Sequence, residues 1–215
     1  MSEMLKVNEI FLTLQGEGAR AGLPCSLVRL AGCNLRCRWC DTRYAWTDGK
    51  SMSLSQVLGR VAELACPRVE LTGGEPMSQP AAVELLRRLA EAGYETLLET
   101  NGSLDLSAVD ARVVKIVDFK CPFSGQAESF HWPNLHHLMP RDEAKFVLAD
   151  RGDFDFAAAV VREHELTRQC SVIFSPVRGQ LAPATLADWI LAAKLDVRLG
   201  LQLHKIIWPD KDRRA

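Results

Sequence analysis

Cys33-Asn34-Leu35-Arg36-Cys37-Arg38-Trp39-Cys40 sets three thiols within eight residues, just after the short apolar run Ser26 to Leu30 and the stop at Gly32. The run reads as a strand and the cysteines as the loop leaving it. Before it, Val7 to Leu14 reads as another strand. After it, helix and strand patterns alternate. Leu54 to Leu64 has helical periodicity behind a Ser53 cap, and Arg68 to Thr72 is a strand stopped by Gly73-Gly74. Pro80 to Ala92 is an amphipathic helix closed by Gly93. Tyr94 to Glu99, Val113 to Phe119, Ala144 to Ala149 and Ser171 to Phe174 read as strands. Phe154 to Leu166 and Pro183 to Leu195 read as helices, and Val197 to Leu203 as the last strand. Residues 122–140 form a long loop containing histidine and proline, a kind of segment that often carries function. Most of the strands are short continuous apolar runs, which predicts an α/β fold with a mostly parallel sheet and outer helices. Their number suits an open, partial barrel better than a closed eightfold one. No repeat, low-complexity tract or linker interrupts residues 1–215, so a single domain is expected.

A formal net charge of -1 gives no sign of a nucleic-acid surface or of steering toward a membrane. No apolar run approaches the roughly 20 residues of a membrane span, and Met1 to Lys6 lacks a basic-then-apolar signal. A cytoplasmic location is the expectation. In a reducing compartment, clustered cysteines indicate metal or redox chemistry more than disulfides. The other four cysteines (Cys25, Cys66, Cys121 and Cys170) are scattered; three of them lie in or next to apolar segments and read as small buried hydrophobes.

Three chemistries compete for the cysteine loop. A structural zinc site wants four protein ligands, commonly two separated pairs, and no second pair is present; Cys25, Asp41 or a distant histidine would have to complete it. A ferredoxin-type cluster likewise lacks an obvious fourth cysteine. Three thiolates on a [4Fe–4S] cubane leave one iron open. That iron can bind the amino and carboxylate groups of S-adenosylmethionine, and one electron then breaks the sulfonium bond to give a 5′-deoxyadenosyl radical. Trp39 can shield such a cluster or simply fill space. Arg36 and Arg38 can offset its charge or stay solvated.

The three-then-two spacing resembles the radical S-adenosylmethionine superfamily. Leu71-Thr72-Gly73-Gly74-Glu75-Pro76 looks like the strand end that holds the methionine part of the cofactor in that family. Further segments are similar to the 7-carboxy-7-deazaguanine synthases within it. They are Leu14-Gln15-Gly16-Glu17-Gly18, Arg29, Cys40-Asp41-Thr42, Glu99-Thr100-Asn101-Gly102, Asp118-Phe119-Lys120 and Leu203-His204-Lys205. The resemblance runs from about Val7 to Pro209 and implies a partial (β/α)6-type barrel of the radical enzyme kind.

It also implies a reaction. The substrate would be 6-carboxy-5,6,7,8-tetrahydropterin, whose six-membered ring contracts with loss of ammonia to 7-carboxy-7-deazaguanine, a precursor in queuosine and 7-deazapurine synthesis. The implied cofactors are the [4Fe–4S] cluster on Cys33, Cys37 and Cys40, S-adenosylmethionine, and Mg2+ with Thr42 as its hydroxyl ligand. Leu14, Gln15, Gly16, Glu17, Arg29, Thr72, His204 and Pro209 would bind substrate. Gly74, Glu75, Glu99, Asp118, Phe119, Lys120, Ser175, Pro176 and Val177 would line the cofactor. An electron donor such as flavodoxin and a homodimer are implied, with no direct nucleic-acid contact and no membrane.

Chemistry is compatible with these roles. Gln15 carries both donor and acceptor for a pterin edge, Glu17 is an acceptor, and a guanidinium at Arg29 matches a carboxylate. Each has a plainer alternative: an ion pair for Arg29, a solvated turn for Glu17, a turn cap for Thr42, a core histidine for His204, and pairing with a cation for Glu99. His131, His136 and His137 fit no metal spacing and read as loop histidines. In the family the chain can end on a proline whose carboxylate meets substrate; here residues 210–215 follow Pro209. A glycyl-radical activase shares the cysteine loop, but it has no use for Gln15, Glu17 and Arg29. A non-enzymatic metal module leaves the Gly-Gly-Glu-Pro and Glu-Thr-Asn-Gly strand ends without a role.

Overall fold

The structure, a computed structural model, describes residues 3–209. β1 (Met4–Leu14) and β2 (Pro24–Leu30) pair antiparallel, and the edge strand β3 (Lys50–Ser53) pairs antiparallel with the other side of β1. From β2 onward every neighbouring pair is parallel. The strands are β4 (Arg68–Gly73), β5 (Glu95–Thr100), β6 (Val114–Phe119), β7 (Glu143–Leu148), β8 (Ser171–Pro176) and the two-residue β9 (Arg198–Leu199). The sheet order is β3-β1-β2-β4-β5-β6-β7-β8-β9. Six full parallel strands, β2 and β4 to β8, make the expected partial barrel, extended on the β2 side by the hairpin.

Helices connect the strands: α1 (Leu54–Glu63), α2 (Ala81–Glu91), α3 (Arg151–Glu163), the short α4 (Leu166–Gln169), α5 (Pro183–Ala193) and α6 (Leu203–Ile207). α1 starts on a reciprocal cap, in which Gln56 N donates to Ser53 Oγ (3.2 Å) and Ser53 N to Gln56 Oε1 (2.8 Å). Such caps contribute about 1 kcal/mol. α2 closes at Gly93, whose φ of +86° suits glycine. α3 begins three residues before the expected Phe154, because Asp150 caps it by accepting from Asp153 N at 2.9 Å.

Side chains alternate between the two faces of the sheet. One set, including Val28, Leu30, Val69, Leu71, Leu98, Val117, Phe146 and Phe174, packs with Val57, Leu85, Leu89, Phe154 and Leu186 of the helices into the main core. The other set faces a concave interior. Leu97, Val114 and Ile116 form a small apolar cluster there, and polar residues lie above it.

Three expectations change. The last strand shrinks from Val197–Leu203 to Arg198–Leu199. A Cβ on Gly200 would lie 2.4 Å from Ser175 Oγ, and Leu203 N donates to Gly16 O (2.8 Å), so the chain turns inward and coils into α6. β3 forms without an apolar run in Lys50-Ser51-Met52-Ser53, through backbone pairing with Met4 to Val7 of β1. The 122–140 loop holds three short 3-10 turns and is largely a packing element. Phe130 stacks on Phe119 with centroids 4.1 Å apart, and buried Asn134 donates to Gly102 O and Leu104 O.

Candidate functional site

Two turns build the mouth of the barrel. After β2, the cysteine loop is braced through its two arginines. Arg38 N donates to Ser124 O (3.0 Å), while the Arg36 guanidinium donates to Cys33 O and Leu35 O. The Arg36 and Arg38 guanidinium groups stack on Trp46 and Phe123. After β4, the Gly73-Gly74 turn presses on the root of this loop. Gly74 N donates to Leu30 O and Glu75 N to Gly32 O, and a Cβ on Gly74 would meet Gly32 O at 2.1 Å and the Cys33 Cβ at 2.8 Å. Only glycine permits that approach. The Glu75 carboxylate is fully enclosed and accepts from Met77 N, Thr100 Oγ1 and Asn101 N (2.7–2.9 Å), which ties the end of β5 to the end of β4.

Cys33, Cys37 and Cys40 line one cavity of about 450 Å³, and all three are free thiols. Burial raises the Cys33 and Cys37 pKa values. Among the described residues, no three His, Cys, Asp or Glu side chains converge on a single-ion position. A cubane asks for no such convergence, since each thiolate binds a different iron. The residues present fit a cluster with a small-molecule ligand beside it. Among the described residues, Asp118 Oδ1 and Trp39 Nε1 are buried on the cavity wall with no hydrogen-bond partner, although Asp118 Oδ2 holds Lys120 Nζ at 2.7 Å. Lys120 Nζ also lies 4.9 Å from the centre of the Trp39 ring. Thr42 makes no capping bond, and its hydroxyl stands 3.8 Å from Cys40 Sγ.

Deeper in, inward-facing residues of successive strands form a charged layer. Arg29 on β2 lies beside Thr72 on β4, and Thr72 Oγ1 donates to Glu99 on β5 at 3.0 Å. Lys145 on β7 donates to Glu99 and, at 2.9 Å, to Glu17. Arg29 Nε donates to Glu9 Oε1 (2.8 Å), so the ion-pair alternative holds for one edge of a guanidinium that also lines the cavity. Lys145 sits between two carboxylates, which hold its pKa well above the usual lysine value against its burial. Burial works against ionised Glu99 too, but Lys145 keeps its pKa below the carboxylate range. Glu70, one step deeper on β4, is pushed up to about 8 by burial and by the charge of Glu99.

The loop after β1 meets the C-terminal helix above this layer. A Cβ on Gly16 would stand 2.0 Å from His204 Nδ1, and one on Gly18 (φ +74°) 2.3 Å from a Glu143 carboxylate oxygen. The two glycines of Gln15-Gly16-Glu17-Gly18 therefore seat a histidine and a glutamate. Gln202 Nε2 donates to Glu17 Oε1 (2.9 Å), and Lys205 pairs with Asp41 beside the cysteine loop. Burial lowers the His204 pKa, favouring neutral imidazole.

Most residues expected at the site meet in this cavity: Leu14, Gln15, Gly16, Glu17, Arg29, Thr72, Gly74, Glu99, Asp118, Lys120, Val177, His204, Thr42 and the three cysteines. Five expected residues lie outside its wall. Glu75 acts as the tie described above. Phe119 is in the main core between Phe130 and Phe146. Ser175 and Pro176 are buried in β8, and Pro209 is exposed beyond α6. The tail 210–215 lies outside the described residues. His204 is on a helical turn, not at the end of a strand. Sequence reasoning missed Glu70 and Lys145. Both are charged residues inside otherwise apolar strands, Val69 to Leu71 and Ala144 to Leu148, which was the available signal.

Comparison with known proteins agrees with this geometry. The radical SAM superfamily model matches residues 27–124, from β2 to just past β6. The 7-carboxy-7-deazaguanine synthase of Koribacter versatilis is 46% identical, covering 95% of this chain and 97% of its own. That of Chlorobaculum tepidum is 44% identical, covering 96% of each. The crystal structure of QueE from Escherichia coli superposes with a TM-score of 0.79 at 21% identity, over 94% of this chain and 95% of that one, and so shares the fold. Near-full-length identity at this level, on a chain that brings three free cysteines to the mouth of a partial barrel, makes it a member of the 7-carboxy-7-deazaguanine synthase family of radical SAM enzymes.

Proposed function

We propose that this chain converts 6-carboxy-5,6,7,8-tetrahydropterin to 7-carboxy-7-deazaguanine with release of ammonia. The observation carrying this reading is that the three cysteines and the polar layer around Gln15, Glu17, Arg29 and Thr72 open onto one cavity. When bound, a [4Fe–4S] cluster and S-adenosylmethionine supply the radical that takes a hydrogen from the substrate. Cys33, Cys37 and Cys40 would hold the cluster. Gly74, Asp118, Lys120 and Val177 would border the S-adenosylmethionine, with the unpartnered Asp118 Oδ1 as an acceptor for its polar groups. Arg29 would grip the substrate carboxylate, Thr72 and Glu17 its ring, and neutral His204 would cover it. Thr42 offers a hydroxyl to Mg2+ near Cys40. A one-electron donor of the flavodoxin type completes the system. A homodimer is favoured by an exposed apolar strip, Leu199, Leu201, Ile206 and Ile207, along β9 and α6.

Anaerobic reconstitution with iron and sulfide, reduction, and addition of S-adenosylmethionine, Mg2+ and the pterin should yield 7-carboxy-7-deazaguanine by mass spectrometry. Cys37→Ala should abolish both cluster assembly and product. Formation of 5′-deoxyadenosine without that product would keep the radical chemistry and overturn the substrate.

A further inference from the structure

Glu70 is the charged group at the bottom of the cavity, and the roles above leave it unused. It faces inward from the middle of β4, between Leu27 of β2 and Leu97 of β5 in register. Only 3% of it is exposed. Among the described residues, its hydrogen-bond partner is the Gln15 amide, through Nε2. A buried carboxyl with most of its acceptor positions unmet is costly to ionise, and a pair of facing N–H donors would favour the carboxylate form. The nearby cations are engaged elsewhere, Arg29 with Glu9, and Lys145 with Glu17 and Glu99. Apolar walls with one enclosed acceptor suit a flat heterocycle carrying N–H donors.

We propose that Glu70 is a specificity-determining residue, taking the amino group and adjacent ring N–H of a cyclic guanidine edge while Gln15 serves the neighbouring carbonyl. The inference rests on the pterin reading above and adds which end of the substrate goes to the floor. The Gln15 amide nitrogen has two hydrogens; one holds Glu70 and the second is available for a carbonyl oxygen. The Gln15 carbonyl faces Glu17 N at 3.3 Å, which fixes the amide in this orientation. Arg29 lies one inward position nearer the mouth on the adjoining strand, so a carboxylate there leaves the opposite end of the bicycle pointing down. The aminopyrimidinone edge is the part of the molecule that ring contraction leaves untouched. A residue reading it binds substrate and transition state alike, and so governs KM rather than kcat.

The test uses reconstituted holoenzyme, wild type and Glu70→Gln, with the pterin and with its analogue lacking the exocyclic amino group. Dissociation constants come from anaerobic calorimetry and KM and kcat from product formation. Wild type should favour the pterin by roughly a hundredfold or more, because a site built for a donor is left unpaired by an analogue without it. In Glu70→Gln, KM and Kd for the pterin should rise about tenfold or more with kcat nearly unchanged, and the preference should collapse. Equal losses for both compounds, or an unaltered preference, would overturn the role. Wild type alone decides if the variant does not fold: indifference to the missing amino group sinks the proposal. No product from wild type with the pterin would instead remove the function reading, and this inference with it.

Discussion

Lys145 remains a cation in the interior because Glu17 reaches it from the loop after β1 and Glu99 from β5. Removing one partner from such a set strands the others. Lys145→Met should destabilise the protein by about 2–3 kcal/mol, since two partly buried carboxylates lose their counter-charge. Urea titration measures this, and a loss below about 1 kcal/mol would mean that water already reaches the pair. Glu70 behaves oppositely. Its folded pKa is raised above the unfolded value, so the folded state binds the extra proton. Stability therefore falls as pH climbs from the ordinary carboxylate range to about 8, and is level beyond. Glu70→Gln should melt higher than wild type, and the gap should widen over that window. A gap independent of pH would show that Glu70 is already ionised when buried. Glu70 and Lys145 escaped a sequence reading because an isolated charge in an apolar strand looks the same whether it serves a ligand or a salt bridge. Arg29 was legible in part: its cost of burial flagged it, but its Glu9 partner is a cross-strand neighbour that becomes visible only through the β1–β2 register, Glu9 opposite Arg29.

At the scale of elements, the parallel strands were readable because each is a continuous apolar run bounded by glycine, proline or a cap. β4 ends at Gly73-Gly74 and α1 starts at Ser53, close to where the sequence put them. The C-terminal segment was not. Leu199 and Leu201 suggest an alternating strand, yet Gly200 packs on Ser175 and the chain bends in to place α6 against the Gln15–Gly18 turn. Tertiary contact overrode local pattern there. Gly16 is the seam between these elements. Gly16→Ala would drive a methyl into the His204 ring, so α6 should lift and KM for substrate rise about tenfold or more, while iron content stays that of wild type. Iron analysis alongside steady-state kinetics checks the pair of expectations. A normal KM would mean that α6 shifts without consequence for the site.

Across the whole molecule, the sheet divides its labour by face. The helix-covered side holds the main core, and the concave side carries smaller apolar clusters, Leu97, Val114 and Ile116 in the floor and Val147 and Val177 on the wall, beside its polar layer. Substitutions on the concave side should therefore tax catalysis more than folding, Lys145 excepted. The apolar strip of β9 and α6 belongs to this scale as well. If two copies meet there, sedimentation should report a dimer that Ile206→Glu converts to monomer, and an unchanged dimer would move the interface elsewhere.

The pairing of Gln202 with Glu17, and of Leu203 with Gly16, joins segments separated by more than 180 residues of sequence. Contacts of such long range close late in folding, after the neighbouring parallel strands have paired, so the cover over the cavity is expected to be the last part of the barrel to form and the first to open.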